Sequence, residues 1–206
     1  MKKIICFNAP PKSGKDTGAL FLQKNFGGEI YSIASPIKKI VADIYKVPIS
    51  KLEKSKNQPL PELLSCTPRE CYIQYGETIK QLHGDNYWID FTIKRIKNSQ
   101  ENLFFITDLG FQKELNQLVK TFGVENVLLI RVLRPECTFD NDSRSYVSNL
   151  LEFNIAKGKN CFVNCLEIKN NGTLKEYHQQ LIEKTSKILG KYESKTNYQV
   201  YRCSGN

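Results

Sequence analysis

Residues 8–17 of this 206-residue chain read N-A-P-P-K-S-G-K-D-T, Asn8 to Thr17. Set against the phosphate-loop pattern G-x-x-x-x-G-K-[ST], the stretch keeps Gly14 and Lys15 but carries Ala9 at the first glycine and Asp16 at the hydroxyl position. Its setting decides the reading. Lys3 to Asn8 is a short β-branched and aromatic run, and Asp16 to Phe26 holds Ala19, Leu20 and Leu22 in helical register, so the order is strand, loop, helix. In that order the N–H groups of Lys12, Ser13, Gly14 and Lys15 can converge on a phosphate at the positive helix end, with the Lys15 ammonium bridging the outer phosphates. Ala9 fits provided its φ is negative, since glycine is required only at positive φ or where a Cβ would clash.

Asp16 has two readings. A carboxylate facing a triphosphate is repelled unless a cation lies between them, so Asp16 either holds Mg²⁺, directly or through water, or caps the helix; Thr17 supplies a hydroxyl beside it.

The remaining pattern alternates strand and helix. Glu29 to Ile33 reads as a strand, and Ser35-Pro36 starts a helix that continues through Val41 and Ile44. Pro48 to Pro61 is polar, lysine-rich and bounded by prolines, which predicts a loop or insertion with little core of its own. Thr67-Pro68-Arg69-Glu70 is a helix start with Thr at the N-cap, Pro at the first position and Glu at the third, and the helix extends to about Leu82. A second helix from Asn86 to Ile96 carries the apolar stripe Trp88, Ile89, Ile93, Ile96. Asn102 to Asp108 is a buried-type strand ending in an acid, followed by a helix from Gln112 to Phe122 and a strand from Val127 to Val132. A polar segment runs through Ser145. Cys165 to Ile168 is the last predicted strand, Asn170 to Gly172 a turn, and Thr173 to Tyr192 a long amphipathic helix before a polar tail. Such alternation predicts a largely parallel sheet covered on both faces.

Composition bounds the class. Seven cysteines without C-x-x-C or paired histidine spacing point to free thiols in a reducing compartment, not to a disulfide framework or structural zinc. No apolar run is long enough to span a membrane, and the N-terminal residues lead into the loop without a cleavable signal pattern, so a cytoplasmic protein with no membrane partner is expected. The formal charge of +9 is distributed along the chain, which suits polyphosphate ligands but is equally read as bland composition.

The ordered set K-S-G-K-D-T, A-S-P-I-K, P-R-E-C-Y-I-Q-Y-G-E, N-Y-W-I-D, F-F-I-T-D, R-V-L-R-P and I-K-N-N-G-T-L, covering most of Met1 to Leu189, resembles the phage-type deoxynucleoside monophosphate kinases. The resemblance implies a P-loop NTPase fold of three α/β/α layers with a mostly parallel sheet, nucleoside monophosphate kinase-like. It implies one kinase domain over residues 1–192, with an acceptor-binding helical insertion at about 48–98, a lid at about 134–158, and a tail at 193–206.

By the same resemblance Lys12, Ser13, Gly14, Lys15, Asp16, Thr17 and Asn170 bind ATP, and Lys38, Arg69, Gln74, Gly76, Trp88 and Asp108 line the acceptor site. Lys15, Arg131, Arg134 and Arg144 are the catalytic cations, and Asp16, Thr17 and Asp108 the metal-holding residues. Each has an ordinary alternative: a solvated Lys38 or basic loop, exposed Arg69, helix-end Gln74, core Trp88, or a helix-capping Asp108. Arg69 and Gln74 are five apart and so not on one helical face. In the family the strand-end acid commonly belongs to D-x-R, whereas here Asp108-Leu109-Gly110 lacks that arginine. The implied ligands are ATP and Mg²⁺, with small-molecule nucleotides as partners, nucleic acid not expected, a homodimer allowed, and the host's cytoplasm as the location should the chain be viral. A kinase for another phosphorylated or hydroxyl acceptor, and a nucleotide- or nucleic-acid-binding protein without turnover, are the rival readings.

Overall fold

Three apolar runs, starting at Lys3, Leu103 and Val127, become central strands buried on both sides, and the two flanking strands, starting at Glu29 and Asn164, are more exposed. In the computed structural model, which describes residues 1–140, 142–151 and 161–189, these are β1 (Lys3–Asn8), β2 (Glu29–Tyr31), β3 (Leu103–Ile106), β4 (Val127–Leu133) and β5 (Asn164–Lys169). They form one sheet in the order β2-β3-β1-β4-β5, and every pairing is parallel. Parallel strands need crossovers that cover the faces, which accounts for the near-continuous apolar character of the central strand. The predicted tail, the end of the last helix at Tyr192, Cys203 and part of the predicted lid (141 and 152–160) lie outside the described residues.

The alternation of side chains along β1 splits the core in two. Ile5 and Phe7 pack with Ala19 and Leu22 of α1 (Lys15–Phe26), and with Tyr177 and Leu181 of the last helix. Ile4 and Cys6 face the opposite side, against the stripe Trp88, Ile89, Ile93 and Ile96 and against Leu115, Leu118 and Val119 of the helix that follows β3. The loop after β1 therefore leads to one face of the sheet and the loop after β3 to the other. Where neighbouring strands diverge in this way, a crevice opens beyond their carboxyl ends.

A third cluster sits outside the sheet. Val41 of α2 (Ser35–Tyr45), Leu52 of α3 (Ile49–Lys54), Leu60, Leu63 and Cys71 of α4 (Pro68–His83) pack together with Val47. The stretch Pro48 to Pro61 thus has a helix and a small core of its own, contrary to the reading from its polar composition. Leu52 and Leu60 are few but fully used, and Leu63 follows in a single 3₁₀ turn at Pro61–Leu63. α4 starts as its sequence predicts: the Thr67 hydroxyl accepts from Glu70 N, and Glu70 accepts from Thr67 N. The remaining helices are α5 (Tyr87–Asn98), α6 (Gln112–Phe122) and α7 (Leu174–Leu189).

One buried carboxamide ties the carboxyl end of the sheet together. Asn8 is wholly inaccessible; its Nδ2 donates to the Leu109 carbonyl at 2.9 Å and the Ser145 carbonyl at 3.0 Å, and its Oδ1 accepts from Val147 N at 2.8 Å. The end of β1, the loop after β3 and the segment before β5 are thereby joined by one side chain. Asn8→Ala strands two carbonyls and one N–H in the interior, and the expected loss in urea denaturation is about 2–4 kcal/mol. Asn8→Asp, which removes the two donors and adds charge, is expected to lose at least as much.

Candidate active site

The loop from Ala9 to Gly14 has the alternating backbone of an anion-binding nest: Lys12 has φ 63° and Gly14 φ 100°. Ala9 is buried and is not among the positive-φ residues, as its substitution for glycine requires. Three successive carbonyls of the loop are held by side chains from later in the chain. Arg134 Nη1 donates to Lys12 O at 3.3 Å, Asn170 Nδ2 to Ser13 O at 2.8 Å, and the Tyr177 hydroxyl to Gly14 O at 3.0 Å. In a planar trans peptide the N–H points opposite to its carbonyl, so the N–H groups of Gly14 and Lys15 are directed to the other side, the mouth of the loop, while Ser13 N donates within the loop to Pro10 O at 3.4 Å. The first intrahelical bond of α1 is Gly18 N to Gly14 O, which leaves the N–H groups of the first turn without helical partners.

Two glycines make this possible. A Cβ on Gly14 would fall 2.5 Å from Asn170 Nδ2, and one on Gly18 would run into the Tyr177 hydroxyl and come within 3.2 Å of Leu181 Cδ1. The first turn places Lys15 almost fully inside, with Nζ 3.9 Å from Asp16 Oδ2, while Asp16 and Thr17 are exposed at the mouth. Ser13 Oγ is buried without a hydrogen-bond partner, a donor facing the region where an anion would sit. Burial raises the Tyr177 phenol's pKa, and the Asp16 charge raises it further, so Tyr177 stays a donor to the loop. Beside the loop, Leu133, Arg134, Pro135, Tyr146, Lys169 and Asn171 line an open cleft of about 410 Å³.

Across the crevice the structure gathers a second group of charges. Lys38 Nζ pairs with Glu53 at 2.8 Å. Arg144 grips Asp142 with Nε on Oδ1 at 2.9 Å and Nη2 on Oδ2 at 2.7 Å, and Arg69 Nη2 lies 3.5 Å from the same Oδ2. Lys56 stands among them: its pKa is lowered by desolvation and by the charges of Lys38, Arg69 and Arg144, with Glu53 opposing. Its carbonyl accepts from Arg69 N at 3.1 Å, which fixes the insertion to the start of α4. The Arg144 guanidinium holds the Asp142 carboxyl far below the usual carboxylate range, against the effect of burial. Glu53 is pushed up by burial but, on balance, down by Lys38. Lys38, Lys56, Arg69 and Arg144 therefore gather around Glu53 and Asp142, and Asp108 and Glu114 also lie within electrostatic reach of Arg144.

The expected site residues thus divide. Lys38, Arg69 and Arg144 come together, whereas Gln74 is exposed one turn further along α4. Gly76 and Trp88 meet each other: Trp88 is 5% exposed, and its Nε1 donates to the Gly76 carbonyl at 3.1 Å in the helical interface. Arg131 donates through Nε to the Val147 carbonyl at 3.1 Å and pairs with Glu167 at 3.3 Å, so its guanidinium fastens the segment before β5. Asp108 accepts from Ser32 Oγ at 2.8 Å, Ile33 N at 2.7 Å and Ala34 N at 3.0 Å, anchoring the start of α2 across the sheet end. Lys56, Asp142 and Tyr177 escape a reading of the sequence. Only Tyr177 has a local signal, its place just after the Thr173–Glu176 capping pair, which reproduces the start of α4.

Glu114, half-buried at the start of α6, accepts from Gly110 N at 2.8 Å and Phe111 N at 3.1 Å. Burial pushes its pKa up to about 7, helped by the Asp108 charge and opposed by these N–H bonds. No family model matches the chain, and no curated protein matches it. Among solved structures, the crystal structure of TT1252 from Thermus thermophilus is similar at 11% identity, covering 91% of this chain and 98% of that one with a TM-score of 0.45. An unliganded sugar kinase from Janibacter sp. HTCC2649 is similar at 15% identity, covering 92% and 95%, with a TM-score of 0.41. Because the folded chain holds the Glu114 proton more tightly than the unfolded chain, its contribution to stability is complete below about pH 4.5 and is lost as pH rises through about 7. The melting temperature of Glu114→Gln is expected to fall less than that of the wild type between pH 5 and 8, a difference of about 2 kcal/mol after allowance for partial exposure.

Proposed function

We propose that this protein is an ATP-dependent kinase that transfers the γ-phosphoryl group to a deoxynucleoside 5′-monophosphate, giving ADP and the diphosphate for DNA synthesis. The observation that carries the reading is the outward fastening of the Lys12, Ser13 and Gly14 carbonyls, which leaves a concave set of N–H groups over the Lys15 ammonium. Such a cradle suits the outer phosphates of a nucleoside triphosphate. The neighbouring cleft between Arg134 and Asn171 suits its nucleoside.

The acceptor follows from charge. A phosphate monoester has its second pKa at about 6 and is mostly a dianion at neutral pH. Such a dianion would be drawn to the cluster Lys38, Lys56, Arg69 and Arg144, whose cations outnumber the carboxylates Glu53 and Asp142 set among them. The dianion is its own nucleophile, so no general base is needed, and catalysis rests on in-line positioning and charge neutralisation. A hydroxyl acceptor would need a free carboxylate base. Asp108 already accepts three hydrogen bonds and Asp142 is clamped by Arg144, and the exposed Asp16 is the carboxylate that this reading assigns to Mg²⁺, which favours the phosphate acceptor.

Mg²⁺ fits the oxygen donors at the mouth of the loop. The exposed Asp16 carboxylate and Thr17 hydroxyl would hold it directly or through water, and the ion would neutralise charge on the outer phosphates. Lys15 does the same from inside the loop, and Arg134 is fixed close by through Lys12.

ADP release measured against a panel of deoxy- and ribonucleoside monophosphates is expected to rise with at least one deoxynucleotide; a flat response across the panel contradicts the reading. Lys15→Ala is expected to lower kcat by about 10²–10³-fold or more. Lys56→Ala is expected to raise KM for the monophosphate roughly tenfold while leaving KM for ATP near its wild-type value, as loss of one charge-assisted contact predicts.

A further inference from the structure

Gly110 has no backbone reason to be glycine. Its φ lies outside the left-handed region, so an L side chain is conformationally allowed there. What forbids one is Arg144: a Cβ on residue 110 would fall 2.5 Å from Arg144 Cγ and 3.2 Å from its Cβ, with Cδ closer still. The stem of Arg144 lies across the Gly110 backbone, and its far end is clamped by both oxygens of Asp142. Asp142 also accepts from Arg144 N at 3.1 Å, so backbone and guanidinium are gripped by the same carboxylate. One residue further on, Ser145 is held by Asn8. An arginine fixed at its stem, its head and its backbone cannot swing aside to admit a Cβ.

We propose that Arg144 is a stationary arginine of the acceptor site, seated on the bare backbone of Gly110 and clamped by Asp142, so that Gly110 and Asp142 are positioning residues for its guanidinium. The inference rests on the reading of that site as the binding place of the monophosphate. Residue 110 belongs to the loop after β3, two residues beyond Asp108. The electrostatic reach of Arg144 covers Asp108, Glu114 and Lys56, and its partner Asp142 also lies 3.5 Å from Arg69, which places its head between the end of β3 and the insertion. Held in this way, its charge is already in place when a phosphate arrives, with the loss of side-chain freedom incurred on folding and not on binding.

The test separates placement from function. In the full chain, the Arg144 Nε–Hε NMR signal, assigned by its loss in Arg144→Lys, is expected to be protected from solvent exchange and to lose that protection in Asp142→Asn and Gly110→Ala. An unprotected signal in the wild type overturns the proposal, whether or not any monophosphate is turned over. Gly110→Ala is expected to lower the melting temperature, and Arg144→Ala added to it to recover part of the loss; simple additivity overturns the seating. In steady-state kinetics, Asp142→Asn is expected to raise KM for the monophosphate at least tenfold while lowering kcat by a smaller factor, the split expected of a residue that positions Arg144. Gly110→Arg is expected to be harmful alone but to restore at least tenfold of kcat/KM when combined with Arg144→Gly. If the wild type phosphorylates a monophosphate and these variants keep KM within twofold, the positioning role is wrong while the functional reading stands. If no monophosphate is turned over, the functional reading fails, and the NMR and melting data still decide the placement.

Discussion

The carboxamide of Asn8 is the contact on which the arrangement of the site depends. Sitting at the last position of the central strand and cut off from water, it must satisfy two donor hydrogens and an acceptor inside the protein, and it does so with Leu109, Ser145 and Val147. Those partners belong to the loop after β3 and to the segment that carries Arg144 and Tyr146. A buried amide with every group used has one geometry, and that geometry brings to Asn8 two pieces of chain that lie 101 and 137–139 residues further on. The phosphate loop begins at the next residue, so the same strand end that launches the loop also sets the opposite wall of the crevice.

The two walls use charge differently. On the loop side a single almost buried ammonium, Lys15, works with oriented N–H groups. On the opposite side four side-chain cations are partly offset by Glu53 and Asp142. These carboxylates let like charges crowd within reach of one another while no ligand is present, at a desolvation cost visible in the lowered pKa of Lys56.

What the sequence made legible was local. The strands appear as apolar runs because both faces of a parallel sheet are covered, the start of α4 as Thr67-Pro68-Arg69-Glu70, and α6 with both of its ends at Gln112 and Phe122. The loop around Gly14 and Lys15 was legible for the same reason. What stayed hidden depends on contacts that no spacing records. Asp108 anchors α2 from 74 to 76 residues away, and Asn8 bonds to Val147 across 139. Lys56 lies in a stretch whose composition suggests a loop, and its two useful leucines, Leu52 and Leu60, are too few to make a periodic pattern. Trp88 reads as an acceptor-site residue or as core, with its apolar stripe favouring core, until its indole N–H is seen on Gly76. The arginine missing after Asp108 is a gap in the sequence pattern, yet in space Arg144 lies over that very glycine.

The fastening of the loop by Asn170 and Tyr177 has a consequence for how the protein comes into being. These two contacts span 157 and 163 residues, close to the longest separations the described chain contains. On a ribosome that emits the chain from its first residue, the glycine–lysine turn emerges at once, but the groups that hold its carbonyls outward emerge last. Until α7 docks against Gly18 the nascent loop is a flexible turn without a defined concavity. Under the proposed function nucleotide binding is therefore a late event in biogenesis, and a chain cut short before residue 170 would retain the loop's sequence while lacking two of the three ties that shape it.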